Sequence, residues 1–170
     1  LAVAQIFNEE ENKKMASTTS LDEKASDLVG SYKYKFKNNI DFDYNFSVDE
    51  NYKDLNYNNV VTSLNFNPIK LDFSFVQEKK HIGQNEFLTT GLSYDKGDQT
   101  KLSFKVKRNL ITNSSEFYDL SYEYYNDCLR AGLVYRREFY NDSELESENA
   151  LMFKITLVPF GDISAPAINR

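Results

Sequence analysis

Apolar and polar side chains alternate one for one along most of this chain, and that rhythm constrains the fold more than any other feature. Tyr32, Tyr34 and Phe36 are interleaved with Lys33, Lys35 and Lys37. Ile40, Phe42, Tyr44, Phe46 and Val48 are interleaved with Asp41, Asp43, Asn45 and Ser47. The pattern recurs over 60–66, 71–75, 88–94, 102–106, 118–124, 129–135 and 151–157. A repeat of two sends successive side chains to opposite faces of a β-strand, so each segment predicts a strand with one apolar and one wet face. No stretch of similar length carries the 3.6-residue repeat of an amphipathic helix.

Composition agrees with strands. Tyr (12) and Phe (13) are abundant and only 6 Gly and 3 Pro interrupt the chain; aromatic rings suit pleated, half-buried surfaces. No window approaches the roughly 18–20 apolar residues of a spanning helix, and mean hydropathy is -0.59. The net charge of -6 argues against nucleic-acid binding, which needs a basic face. The single cysteine can close no disulfide within the chain. The start, Leu1-Ala2-Val3-Ala4-Gln5, lacks a signal-peptide pattern, and the expectation is a fragment of a larger protein.

The links between strands sharpen the reading. Short links at Asn38-Asn39, Asn67-Pro68, 95–98 and Asn126-Asp127 carry turn residues. They alternate with long polar links at 8–27, 49–56, 78–85, 109–115 and 140–149. Strands of about ten residues joined alternately by tight turns and long loops match the pattern of a bacterial transmembrane barrel. The expected fold is therefore all-β: an antiparallel transmembrane β-barrel segment of about ten strands, an incomplete arc of a larger barrel. Short turns would face the periplasm. The long exterior loop would run over about 8–27, the last strand over about 150–160 and a periplasmic tail over 161–170. A soluble β-sandwich is the competing reading, with the apolar faces inside.

Two stretches carry a family resemblance. From Asn126 the chain reads Asn-Asp-Cys-Leu-Arg-Ala-Gly-Leu-Val-Tyr-Arg-Arg-Glu-Phe-Tyr, and after an acidic loop Ala150-Leu-Met-Phe-Lys-Ile-Thr-Leu-Val-Pro-Phe-Gly. This resembles the C-terminal end of the LPS-assembly outer-membrane protein family LptD (OstA/Imp). Asp27-Leu28-Val29-Gly30 resembles an upstream strand start of the same family. The resemblance implies the barrel portion of the lipopolysaccharide translocon of the Gram-negative outer membrane. Its implied partners are lipopolysaccharide, the plug lipoprotein LptE, a periplasmic lipopolysaccharide bridge and the barrel-insertion machinery. The alternative function is a self-contained small barrel acting as pore, adhesin or anchor.

The same resemblance implies site residues. Cys128 would form a disulfide to an upstream periplasmic domain. Leu151, Phe153, Ile155, Leu157, Pro159 and Phe160 would form the terminal strand of a lateral seam. Pro159 lacks a backbone donor, which suits weak pairing there and equally suits a plain edge strand. Lys33, Lys35, Asp41, Asp43, Lys101, Lys105, Arg130, Arg136 and Lys154 would line a wet lumen; each also reads as an ordinary solvated position. Glu9-Glu10-Glu11 and Glu144, Glu146 and Glu148 could hold a divalent cation through carboxylate oxygens, though such loops are commonly just solvated. No enzyme is expected. His81 is the only histidine and no motif groups it with a nucleophile and an orienting acid. No metal site and no cofactor are expected.

Overall fold

Alternation does become strand almost everywhere it occurs. The computed structural model describes residues 1–80, 83–97, 99–139, 148–157, 161–164 and 168–169. Among these, twelve strands follow one another: β1 (Ala2–Ala4), β2 (Leu28–Phe36), β3 (Ile40–Val48), β4 (Leu55–Phe66), β5 (Ile69–Glu78) and β6 (Asn85–Asp95), then β7 (Thr100–Asn109), β8 (Ser114–Tyr125), β9 (Leu129–Glu138), β10 (Glu148–Leu157), β11 (Gly161–Ser164) and β12 (Ile168–Asn169). One 3-10 turn, Ser17–Thr19, lies in the first long link. Strands pair in chain order from β1 to β11, and β12 also pairs with β10.

That order corrects the barrel expectation. The path of paired strands begins at β1 and ends at β11, and among the described residues β1 meets neither of the last strands. Among the described residues the strands form one open antiparallel sheet, nine of them (β2 to β10) of nine residues or more, and not the expected transmembrane barrel. Alternation specifies which face a residue occupies and turn length specifies which strand is the neighbour; neither encodes a pairing between the two outermost edges.

The chain divides into two compact units. The first comprises residues 1–63 and 73–88. Here β2 and β3 pair in the register the alternation demands: Tyr32 faces Tyr44 and Tyr34 faces Phe42, while Lys33 faces Asp43 and Lys35 faces Asp41. A slip of one residue would exchange the two faces, so the register is tightly specified. Gly30 lies opposite Phe46, whose ring covers it; a Cβ on Gly30 would come within 2.5 Å of Phe46 Cε1. Gly30→Val is expected to lower stability by about 1–3 kcal/mol, the range for overpacking. Urea titration checks it, and a neutral effect would mean that Phe46 turns aside freely.

The second unit comprises residues 64–72 and 89–170. Leu102 faces Tyr122 and Phe104 faces Leu120; those residues face Leu133 and Tyr135 on β9, which in turn face Phe153 and Leu151 on β10. The result is one apolar patch four strands wide. The link expected as a long loop over 109–115 is instead a four-residue turn, because β7 extends to Asn109 and β8 starts at Ser114. Asn109 Oδ1 accepts the amides of Ile111 and Thr112 at 3.0 and 3.2 Å, a side-chain turn of the kind Asn favours. The register shifts once, between Lys107 and Arg108, so that Lys107 faces Phe117 and Arg108 faces Ser115. Glu116 is the extra residue of this bulge.

Candidate functional site

No large hydrophobic residue is buried among the described residues; the buried ones are Ser20, Ser26, Asp27, Ser47, Asn56 and Glu78. This inverts the usual distribution, in which apolar side chains fill the interior and buried polar groups are the exception. On the four-strand patch, Leu120 is 46%, Leu133 42% and Phe153 47% exposed. Tyr118 bridges its rim, stacked on Phe104 at 6.3 Å and edge-on to Phe139 at 5.4 Å between ring centroids. A contiguous apolar face of this kind marks a surface that something covers.

The buried polar residues converge on Asp27, which is 2% exposed. It stands at the entry to β2, where the long link from Asn8 returns to the sheet. Its Oδ2 accepts from Ser47 Oγ at 3.0 Å and Asn56 Nδ2 at 2.8 Å, and Lys80 Nζ lies 3.6 Å from Oδ1. Its own amide donates to Ser20 Oγ at 3.2 Å. Ser26 Oγ accepts the Ile6 amide at 2.9 Å. The carboxylate thus ties β3, β4 and the segment just after β5 to one point, and the Asp27 amide adds the link. Nothing in the alternation announces this node, because these residues fall at ordinary wet-face or link positions. The singled-out run Asp27-Leu28-Val29-Gly30 contains its centre, on grounds unrelated to this role.

Beside Asp27 opens a cleft of about 520 Å³ in the first unit. Ala2, Ala4, Val29, Thr19 and Ser20 are among the residues that line it. Asp27 and Glu78 are the charged residues that line it.

The wet faces carry cross-strand ion pairs. Lys33 Nζ sits 2.9 Å from Asp43 and Lys35 Nζ 3.2 Å from Asp41. The hydrogen bond from Lys33 holds the Asp43 carboxyl below its ordinary range, against a smaller opposing effect of desolvation. In the second unit Arg136 grips Asp119 with two parallel bonds, Nε to Oδ1 at 2.6 Å and Nη2 to Oδ2 at 2.7 Å. That fork geometry is the strong form of the pair and raises the guanidinium pKa, chiefly through the hydrogen bond to Asp119. The guanidinium also lies 5.0 Å from the centre of the Phe117 ring.

The expected site residues are dispersed. Lys101 faces Glu123 and Lys105 faces Asp119, Arg130 lies 3.7 Å from Glu123, and Lys154 faces Gly132. An open sheet encloses no lumen for these side chains to line. Leu151, Phe153, Ile155 and Leu157 lie on β10, which pairs with β9 on one side and with β11 and β12 on the other. Pro159, Phe160, His81, Glu144 and Glu146 lie outside the described residues. Cys128 is a free, exposed thiol in the β8–β9 turn, where Asn126 Oδ1 accepts the amides of Cys128 and Leu129 at 3.0 and 2.7 Å. Among the described residues no three His, Cys, Asp or Glu side chains are grouped to hold a metal ion.

No family model, curated protein or solved structure matches the chain. The resemblance to the LptD family is therefore corrected: it rests on short runs around Cys128 and Asp27 that no family match supports. The translocon reading falls with it, as does the alternative of a self-contained small barrel acting as pore, adhesin or anchor, since the described strands form an open sheet and close into no barrel. The disulfide expected for Cys128 belonged to that resemblance and falls too.

Proposed function

We propose that this chain is a lipid-facing sheet: its aromatic and aliphatic face contacts the acyl chains of a membrane while its charged face stays in water. The observation that carries this reading is the uncovered apolar face itself, continuous across β7 to β10. Leaving such residues in water forgoes about 1.5–3 kcal/mol for each large side chain, so the face demands a cover. Tyrosine supports lipid as that cover. Tyr118, Tyr122 and Tyr135 belong to the patch or its rim, and a ring with an apolar body and a polar tip suits the boundary between hydrocarbon and water. The opposite face of the second unit agrees, because Arg136 answers Asp119 across the strands there. The role is attachment and organisation rather than catalysis, and its location in this reading is the bacterial outer membrane.

The chain has no tryptophan, which makes single-tryptophan probes clean. Leu120→Trp reports on the apolar face and Lys101→Trp on the wet one. With phosphatidylcholine vesicles carrying brominated acyl chains, fluorescence of the Leu120→Trp protein is expected to be quenched severalfold more than that of Lys101→Trp. Equal quenching at both positions would sink the reading. So would a stable dimer that ignores vesicles, which would mean that a second copy covers the face.

A further inference from the structure

Two arginines stand on the apolar side of the second unit, at the end of the sheet that holds the 110–113 turn. Arg137 follows Tyr135 on the same face of β9 and is paired with Tyr118 on β8. Arg108 is paired with Ser115 beyond the bulge. Ser115 Oγ lies 2.8 Å from the hydroxyl of Tyr118, whose ring stacks on Phe104. Ser115 is therefore on the apolar side, and Arg108 with it, because directly opposed residues share a face. Both arginines are exposed. Since neighbouring strands lie roughly 4.8 Å apart, β7 and β9 hold the two about 10 Å apart across the width of β8.

Their neighbours in the chain set the contrast. Lys107 and Arg136 lie on the wet side and each meets an acid: Lys107 Nζ is 2.8 Å from Glu116 and Arg136 grips Asp119. Among the described residues no carboxylate answers Arg108 or Arg137. Arg108 Nη2 donates to Asn113 Oδ1 at 2.5 Å, and the Arg137 guanidinium rests 5.0 Å from the centre of the Phe139 ring. A guanidinium carries five N–H donors and a permanent charge. One amide oxygen or one ring leaves most of that capacity to an outside partner.

The level at which the two arginines stand says what that partner is. Tyr118 and Tyr135 turn their hydroxyls to Ser115 and Asn149, at 2.8 and 2.9 Å, so polar groups take over from hydrocarbon at this end of the patch. In a membrane that level is the headgroup layer. Arginine matches a phosphate with two parallel hydrogen bonds. We infer that Arg108 and Arg137 bind the phosphates of anionic phospholipid headgroups while the patch beside them lies against the acyl chains. The inference rests on the lipid-facing reading and adds to it a preference among lipids. A zwitterionic headgroup carries its own ammonium beside the phosphate; an anionic one brings an uncompensated charge to the arginines.

The test is flotation of the full chain with vesicles of phosphatidylcholine alone and of an equal mixture with phosphatidylglycerol. A chain of net charge -6 is repelled as a whole by an anionic surface, so a gain on the mixed vesicles needs local cations. The parent is expected to partition about tenfold more strongly into the mixed vesicles, each basic side chain near an anionic surface contributing roughly fivefold against that repulsion. Raising the salt should shrink the gain. Arg108→Gln combined with Arg137→Gln should abolish it. Lys107→Gln combined with Arg130→Gln, the same change of net charge made on the wet side, should keep it. No gain for the parent overturns the inference, as does a gain that salt leaves unchanged. So does a gain that survives the first pair of substitutions or is lost equally with the second. A parent that enters neither vesicle overturns the lipid-facing reading as well, whereas one that enters both alike overturns this inference alone.

Discussion

Asp27→Ala is expected to destabilise the first unit by about 3 kcal/mol, the cost of stripping a buried ion of its partners. The substitution removes the acceptor shared by Ser47 and Asn56 and the anion facing Lys80. Ser47 and Asn56 are themselves buried, so their donors cannot turn to water, and each unmet donor costs about 1–3 kcal/mol. The Lys80 pair contributes less, because its side chain is 30% exposed and water screens it. Hydrogen exchange is the discriminating measurement. The amides of Ser26 and Asn8, bonded to Ile6 and Lys24 carbonyls at 2.8 Å, should lose protection together, while β7 to β9 stay protected. Loss of protection spread evenly over the sheet would mean that Asp27 is not a local node.

The second large effect concerns the apolar face. Leu120→Lys combined with Phe153→Lys is expected to lower partitioning into phosphatidylcholine vesicles roughly a thousandfold, because each replaced side chain gives up about 2 kcal/mol of transfer into hydrocarbon. Both side chains are nearly half exposed, so neither charge is forced into a packed interior and the sheet should still form. Far-ultraviolet circular dichroism checks that, and flotation on a density gradient reads the partitioning. A double variant that floats like the parent would remove lipid as the partner of this face.

Much of the sheet was legible in the sequence, and for a local reason. Alternation is written residue by residue, so Tyr32, Tyr34 and Phe36 fall on one face and their lysines on the other, opposite the aspartates of β3. The turn at 110–113 reads as part of a long loop, because the bend depends on Asn109 drawing two amides to its side chain, which no apolar pattern foretells. Closure was illegible for a deeper reason: it is a relation between the two ends of the sheet, and period-two patterning is the same in an open sheet and a closed one. The Asp27 node was unreadable for a related cause. Ser20, Ser47, Asn56 and Lys80 are far apart in the chain and each is unremarkable alone; only the return of the first long link to the sheet makes them neighbours.

An open sheet also has ends on which further strands can template, and such edges ordinarily invite fibrous growth. Here β1 offers three residues, and beyond it the Phe7–Ala25 bridge turns the chain into the link. At the other end, β10 is capped by β11 and β12, of four and two residues. Among the described residues β11 and β12 leave only short stretches of β10 open, whereas β1 covers β2 only at 29–31 and leaves 32–36 open. The strands β3 to β9 are paired on both sides. The open margin of β2 carries Lys33 and Lys35, edge charges of the kind that discourage an incoming strand. The molecule thus keeps a wide sticky face without a bare seed for self-templated polymer.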